Sequence, residues 1–400
     1  MWILPWGYRE GWTICTGLTL TGLAMQNFVG EFDVAAMPYP VNVAACAILA
    51  VVAVTVHALS RKYVVFRWFS SPQASITALA FVLFMSVIEG LGVATINSWA
   101  FTLVFAYLLL VLAAVVMRRL RKPKLKRDAG FVFSHAGLLL ALVAASLGSG
   151  DLQRLRMTVA RDAAEWRAAN ERNELVELPL AIELKSFDID EYPPELMLID
   201  NETGETLPRG KPTNVLIEAC PTVLSLSDWE IEVVRYLPAA ASVMTKDTAF
   251  FTEFLSEGAT SALFAKARHK TTGVSSEGWV SCGNHVFPYR SLRLSDDESL
   301  IMPPRKPKRF ASEVRVYSKE GESRESVIEV NRPLKYEGWK IYQLSYDESR
   351  GKWSHTSVFE LVRDPWLPAV YAGIFMMLVG AIFLFLSSTE NQTYNKKNKE

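Results

Sequence analysis

The sequence predicts a polytopic α-helical membrane protein with six transmembrane helices and a large, mainly antiparallel β domain between helices 5 and 6. Three observations support this fold class. The apolar residues are segregated into six blocks, a polar region of about two hundred residues separates the last two blocks, and seven Lys or Arg residues immediately precede the fifth. Composition alone would also describe a large soluble protein, since half of the residues are hydrophobic and the formal net charge is zero.

Each apolar block is long enough to cross a hydrocarbon core of about 30 Å, because a helix rises about 1.5 Å per residue. The first block lacks the basic n-region and the cleavage site of a signal peptide, so we expect a retained helix. The six predicted spans are residues 11–29, 41–59, 74–95, 99–117, 131–149 and 366–387.

Loop charges predict the topology, because short loops rich in Lys and Arg stay in the cytoplasm. Loop 30–40 has two acids and no base, and loop 95–98 is uncharged, so both are predicted outside. Loop 60–73 carries three bases and is predicted inside. The loop before the fifth span is also predicted inside, since it contains the basic cluster Arg118, Arg119, Arg121, Lys122, Lys124, Lys126 and Arg127. Both termini are then cytoplasmic, and the polar region is exported.

These boundaries divide the chain into four parts. Residues 1–149 form a membrane domain of five helices, 150–364 an extracytoplasmic β-rich domain, 365–387 the sixth helix and 388–400 a cytoplasmic tail. The exported part opens with residues 152–170, which we expect to be helical because Leu155, Val159 and Trp166 are its apolar positions.

From residue 175 the sequence alternates short apolar runs with turn signals, which predicts a sandwich-like β domain of one or two lobes. The turn signals are at 201–204, 319–321 and 348–351. β-Branched and aromatic residues predict strands at 313–318, 326–331, 338–346 and 354–362.

Most catalytic signatures are absent from the sequence. There is no GxxxxGK[ST], HExxH, GxSxG or GxGxxG motif, and no CxxC or CxxCH. We therefore predict no catalytic residue, and no nucleic-acid partner is needed, since the bases cluster where membrane topology requires them. Cys220 and Cys282 are the exported thiols; they either form a disulfide or are two unrelated buried thiols.

Two histidines and one acid lie within predicted spans, where an ionisable side chain is costly. His57 and His135 lie near the cytoplasmic ends of spans two and five. Either histidine could ligate the iron of haem, with propionates held by Arg61, Lys62, Arg118 or Arg119. The alternative is an interfacial imidazole bonded to a neighbouring helix or to lipid headgroups. Glu89, about two-thirds of the way across span three, is either a functional intramembrane acid or a structural one, which is protonated or hydrogen-bonded to Thr or Ser on another helix.

Several stretches resemble the ResB (CcsB) family of cytochrome c biogenesis proteins, in the form carried by Bacteroidetes-type bacteria. The specific parts are His135-x-Gly137 at the start of the helix entering the exported domain, and Asp364-Pro365 followed by Val370-Tyr371-x-Gly373 leading out. The resemblance extends over residues 131–157, 178–205, 278–292 and 328–383.

The resemblance implies a subunit of the System II cytochrome c synthase complex in the bacterial inner membrane, rather than an enzyme alone. A ResC (CcsA) partner would bear the tryptophan-rich haem-binding motif, and the pair would deliver haem to apocytochrome c outside the membrane. His135 matches the family's transmembrane haem ligand, so the expected cofactor is haem b, carried transiently. This chain departs from the family pattern because it has five predicted spans before the domain, where many members have three.

A rival interpretation comes from another functional class. The chain could be an envelope sensor or assembly protein whose β domain binds a protein partner without any cofactor. A Soret absorption band in the purified complex discriminates between the two.

Overall fold

The structure is a computed structural model that describes residues 5–32, 37–91, 98–121, 125–244 and 249–397. It divides into two compact units. The helical unit comprises Met1–Gln153 with Arg363–Glu400, and the β unit comprises Arg154–Val362. Asp33 and residues 95–97 of the predicted outer loops, and Lys122 and Lys124 of the basic cluster, lie outside the described residues.

The described part of the helical unit contains seven α-helices and a 3₁₀ turn at Ser149–Asp151. The helices are α1 Tyr8–Val29, α2 Val41–Leu59, α3 Val64–Trp68, α4 Pro72–Gly90, α5 Trp99–Leu120, α6 Leu125–Gly148 and α7 Leu367–Lys397. Serine side chains cap two of them: Ser71 Oγ accepts from the Ala74 amide at 3.2 Å, and Ser98 Oγ accepts from the Phe101 amide at 3.1 Å.

Five stretches of the described chain are helical, long and apolar enough to cross a membrane, which makes this a membrane protein. They are Val41–Leu59, Pro72–Gly90, Trp99–Leu120, Asp128–Asp151 and Leu367–Leu386. The predicted first span is also a helix, α1, but it is not among the five. Arg9 and Glu10 occupy its first turn, and threonines interrupt its apolar residues. The hydroxyl groups of Thr13, Thr19 and Thr21 donate to carbonyls one turn earlier.

Helix boundaries correct two sequence expectations. The span predicted at 74–95 is helix α4, which ends at Gly90, so Glu89 lies in its last turn and not two-thirds of the way across. The span predicted at 366–387 is helix α7, which continues to Lys397, about three turns past the end of its apolar stretch at Leu386.

Helices α6 and α7 pack against each other through small residues. A Cβ atom added to Gly137 would lie 2.5 Å from the Gly373 carbonyl oxygen, and one added to Gly373 would lie 2.6 Å from the Gly137 carbonyl oxygen. Gly130 faces Leu384 and Gly380 faces Ser134 in the same way. The two backbones are therefore nearly in contact, as is typical of helix pairs in membranes.

The β unit is built from three antiparallel sheets. One sheet has eight strands in the order β15-β14-β3-β2-β1-β18-β17-β16, and the other two have five strands each: β11-β10-β8-β7 with β9 beside β8, and β12-β13-β4-β5 with β6 beside β4. The strands are β1 Gln153–Ala160, β2 Ala164–Ala169, β3 Leu175–Glu191, β4 Glu195–Asp200, β5 Thr206–Leu207, β6 Asn214–Leu216, β7 Thr222–Leu226, β8 Trp229–Met244, β9 Ala249–Glu253, β10 Thr260–His269, β11 Ser275–Ser281, β12 Leu292–Arg293, β13 Glu298–Ile301, β14 Pro307–Ser318, β15 Ser323–Glu329, β16 Leu334–Tyr336, β17 Trp339–Tyr346 and β18 Thr356–Arg363.

Two hydrophobic cores define two lobes of the β unit. The eight-stranded sheet curls so that β15 contacts β17, and it encloses a core around Met157, Ile182 and Phe359. The two five-stranded sheets share the second core, around Trp229, Leu263 and Leu300. The predicted antiparallel, sandwich-like domain is thus present, with two lobes.

The predicted helix at 152–170 is wrong, because these residues form β1 and β2. Leu155, Met157 and Val159 are all buried at every second position, which is the period of a strand. The prediction relied on Leu155 and Val159, which are four residues apart, and that spacing fits both a helix and a strand. The four strands predicted nearer the C-terminus are confirmed, as parts of β14, β15, β17 and β18.

Candidate functional site

A cavity of about 1130 Å³ lies among helices α4, α5 and α6 of the helical unit. Its walls are mainly apolar. Among the residues that the structure describes, its charged side chains are three arginines, Arg118, Arg119 and Arg121, and one acid, Asp128. The residues that line it include Ser70, Leu79, Val82, Leu112, Arg118, Arg119, Arg121, Asp128, Phe131, His135, Leu138 and Leu142. The cavity is large enough for a ligand bigger than an ordinary drug-sized molecule.

His135 lines this cavity and is held in one tautomer. Its Nδ1 lies 2.9 Å from the Phe131 carbonyl oxygen one turn earlier in α6. A carbonyl oxygen can only accept, so Nδ1 carries the hydrogen, and Nε2 of the neutral ring carries the lone pair. This arrangement of one ring nitrogen bonded to a carbonyl and the other available is typical of metal-ligating histidines.

Three neighbouring side chains fix the orientation of the His135 ring. The ring of Phe131 stacks on the imidazole with centroids 3.8 Å apart, and the Arg119 guanidinium lies 5.3 Å from the Phe131 centroid. Arg119 in turn forms an ion pair with the buried Asp128 carboxylate at 2.8 Å. Since Asp128 and Phe131 follow each other on α6 at one-turn spacing, the local helix brings this set together.

Positive charge is concentrated at one end of the cavity. Arg118 donates to the Ser70 carbonyl at 2.9 Å, which joins the end of α5 to the loop before α4. Three guanidinium groups against one carboxylate leave this end of the cavity with net positive charge. The rest of the wall, formed by residues such as Leu79, Val82 and Leu142, is apolar.

The α6 helix presents different faces to the cavity and to α7. Gly130, Ser134 and Gly137 contact α7, whereas Phe131, His135 and Leu138 line the cavity, one residue further along each time. One residue corresponds to about 100° of rotation around a helix. The small-residue stripe therefore orients His135 toward α4 and α5.

His57 is not brought into this site. It lies in the last turn of α2, half-buried, and is not among the residues lining the cavity; the same holds for Arg61 and Lys62. The structure thus brings together His135, Arg118 and Arg119 of the predicted set. Arg121, Asp128 and Phe131 complete it. The sequence signal for the last two was their spacing, since Phe131 lies one turn and Asp128 two turns before His135 on α6.

The three histidines of the β unit do not form a metal site. No group of three or more His, Cys, Asp or Glu residues suited to a metal lies among the residues that the structure describes. His269 packs edge-on against Trp229 at 5.0 Å, and His355 Nε2 lies 3.0 Å from Glu257. Cys220 and Cys282 are free thiols, so the disulfide alternative is not realised.

Comparison with protein families gives one match. Residues 291–357, which run from β12 to β18, match the model of the ResB-like family. The match supports a ResB family protein. It overlaps the 328–383 stretch that carries much of the sequence resemblance, and it supports involvement in cytochrome c biogenesis. Among curated proteins there is no match to the chain.

Proposed function

We propose that this chain is the ResB-like subunit of a System II cytochrome c biogenesis complex, and that it handles haem in the cavity that His135 lines. The observation that carries the proposal is the combination of an available His135 Nε2, an apolar wall and an arginine cluster in one cavity. The ResB-like match supports the broader process.

Haem has three chemical features that this cavity complements. The porphyrin ring is apolar, its two propionates are anionic, and its iron takes imidazole as an axial ligand. Apolar residues such as Leu79, Val82 and Leu112 would contact the ring, His135 Nε2 would face the iron, and arginines would pair with the propionates, which they can bind in a bidentate way. The residues present therefore fit the group.

Phe131 and Asp128 position the imidazole of His135, Phe131 by direct contact and Asp128 through its ion pair with Arg119. An axial imidazole is effective when its ring orientation and tautomer are set in advance, because less freedom is lost on binding. The Phe131 carbonyl sets the tautomer of His135, and the Phe131 ring, held beneath Arg119, limits rotation of the imidazole.

We place the chain in the bacterial inner membrane, with both termini in the cytoplasm. Helix α1 crosses the membrane in addition to the five long apolar helices, which makes six spans. The loop charges support this orientation. The arginine end of the cavity then faces the cytoplasmic leaflet, from which haem would enter, and the β unit is periplasmic. A ResC (CcsA)-like protein and apocytochrome c are the proposed partners of the β unit.

The test is the absorption spectrum of the detergent-purified chain, expressed with a ResC-like partner. His135→Ala should remove most of the Soret absorbance per mole of protein, while protein yield stays near wild type. Added imidazole should restore part of it by occupying the vacated axial position. His57→Ala is the matched control, since His57 is a half-buried histidine of another apolar helix outside the cavity.

Unchanged Soret absorbance and normal cytochrome c maturation in His135→Ala would refute the role of His135. Loss of absorbance in His57→Ala with retention in His135→Ala would assign the haem ligand to His57 instead.

A further inference from the structure

A second cavity, of about 560 Å³, lies within the β unit where its two lobes meet. The lobe of the eight-stranded sheet contributes Glu191 at the end of β3, Arg305 in the segment just before β14, and Lys352 in the loop before β18. The other lobe contributes Ala259 and the 282–289 loop. Its volume lies in the range of small-molecule sites, about 300–1,000 Å³.

One wall of this cavity is a rigid loop. The Asn284 side chain donates to the Gly258 carbonyl at 2.6 Å and accepts from the Val286 and Phe287 amides at 2.8 and 2.9 Å. Gly283 has a φ of +64°, and an added Cβ atom would lie 2.8 Å from the Pro288 carbonyl carbon. The wall is therefore formed in advance of any ligand.

The cavity holds more buried positive than negative charge. Arg305 is fixed by its donation to the Tyr192 carbonyl at 2.9 Å, and its Nη1 lies 3.2 Å from Glu191 Oε2. Lys352 Nζ lies 3.9 Å from the same oxygen, beyond hydrogen-bond distance. The side chains of Arg305, Glu191 and Lys352 are only 18, 19 and 26% exposed.

One carboxylate therefore serves two half-buried cations. The remaining charged side chains of the cavity, Arg350 and Glu348, are exposed and of opposite sign. A net positive charge with little solvent around it attracts an anion more strongly than a surface cation does.

Beside the two cations the lining is aromatic and apolar. Trp353 is held by donation from its Nε1 to the Ala259 carbonyl at 3.3 Å, and the Lys352 ammonium lies 5.4 Å from its ring centroid. Tyr346 stacks on Phe187 with centroids 5.0 Å apart. Tyr289 and three prolines complete this part of the wall. Flat, rigid side chains of this kind favour a planar ring.

We propose that this cavity binds a planar aromatic ligand bearing a carboxylate, with the carboxylate received by Lys352 and Arg305 and the ring placed against Trp353. The carboxylate is the shared chemistry of two sources, a small aromatic acid and a tetrapyrrole propionate. The inference does not require that the chain handles haem.

Cys282 provides a local reporter of occupancy. It lines the cavity, with its Sγ 3.3 Å from Thr260 Oγ1, whereas Cys220 is exposed and does not line it. Alkylation of the two thiols by N-ethylmaleimide in the full-length, detergent-solubilised chain, followed by mass spectrometry, compares the cavity with an internal control.

The first probe is 2-naphthoate, and its methyl ester is the control without charge. At about ten times the dissociation constant, mass action predicts roughly tenfold slower labelling of Cys282 and no change at Cys220. Equal protection by the ester, or no protection by any carboxylate probe, overturns the proposal. Mesoporphyrin IX is the second probe; protection at lower concentration than naphthoate identifies a tetrapyrrole, and protection by naphthoate alone identifies a small acid.

Two substitutions should act in opposite directions. Lys352→Gln should weaken protection, and Glu191→Gln should strengthen it because the competing carboxylate is lost. A folding defect cannot strengthen binding, so weaker protection in Glu191→Gln contradicts the proposal. Lys266→Gln is the matched control, since Lys266 lies 3.9 Å from Glu277 on the surface.

Repeating the assay in His135→Ala separates the two proposals. Protection of Cys282 that persists when Soret absorbance is lost supports this site on its own. Absent protection in a chain that retains Soret absorbance overturns this site and leaves the proposed function standing.

Discussion

The indole Nε1 of Trp366 donates to Oδ2 of Asp151 at 2.7 Å, which joins the two points where the chain leaves and re-enters the helical unit. The same carboxylate accepts from the Tyr39 amide at 2.7 Å and from Asn42 Nδ2 at 2.8 Å. One side chain therefore connects the start of α2, the end of α6 and the start of α7.

Asp151→Asn should destabilise the helical unit by about 1–2 kcal/mol, because an amide nitrogen would replace one acceptor and face an N–H donor. Trp366→Phe leaves Asp151 its hydrogen bonds from Tyr39 and Asn42 and should cost less. Thermal unfolding of the detergent-purified chain measures both. Asp162→Asn is the control, since that carboxylate is 72% exposed; an equal shift in the control would contradict the role of Asp151.

Gly137→Ala should separate α6 from α7, because the added methyl group would lie 2.5 Å from the Gly373 carbonyl oxygen. We expect a loss of about 1–3 kcal/mol, the usual cost of overpacking. The midpoint of thermal unfolding is the measurement. Gly17→Ala, in helix α1, is the matched control because nothing lies within 4 Å of its added Cβ atom, and it should be neutral or slightly stabilising. Similar unfolding of the two variants would argue against close α6–α7 packing.

Glu195 should contribute stability that depends on pH. Hydrogen bonding from Asn214 at 2.7 Å, with an ion pair to Lys306 at 2.9 Å, holds the pKa of this carboxyl below its ordinary value. A lowered pKa stabilises the fold above the unfolded value, about 4.3, and the contribution is lost as the pH falls through the lower folded value.

Glu195→Gln should therefore lower the free energy of unfolding at pH 7 by about 1 kcal/mol or less, and with it the unfolding temperature. The difference from wild type should vanish below the folded pKa. Glu325→Gln, at a glutamate that is 70% exposed, should differ little from wild type at either pH. A Glu195→Gln difference that persists in acid would show that packing and not charge is responsible.

Reporter fusions test the proposed topology. A reporter that is active only outside the cytoplasm should be active after Gly30 and Gly204 and inactive after Arg61, because Arg61 is the one of these three positions that lies in a short basic loop. The Gly30 fusion decides whether α1 crosses the membrane. Activity after Arg61 would contradict the assigned orientation, and inactivity after Gly30 would show that α1 does not cross the membrane.

The sequence by itself determined the helical blocks, most strands near the C-terminus and the two histidines that lie within apolar helices. Apolar runs long enough to cross a bilayer and apolar residues at every second position are local signals. They predict a helix and a strand, respectively, without reference to the rest of the chain. The stretch from Leu155 to Val159 was ambiguous, since a four-residue spacing fits both periods, and only pairing within the eight-stranded sheet decided it.

Only the tertiary structure decided which polar side chains meet. Hydropathy and loop charge do not distinguish His57 from His135, since each lies near the predicted cytoplasmic end of an apolar helix. The contact of Gly137 with Gly373 turns one face of α6 toward α7, and His135, on the adjacent face, then enters a cavity with Arg118 and Arg119. The cavity between the lobes of the β unit likewise depends on Glu191, Arg305 and Lys352, which are far apart in the chain. Such contacts depend on helix rotation and on long-range packing, which single-sequence periodicity does not contain.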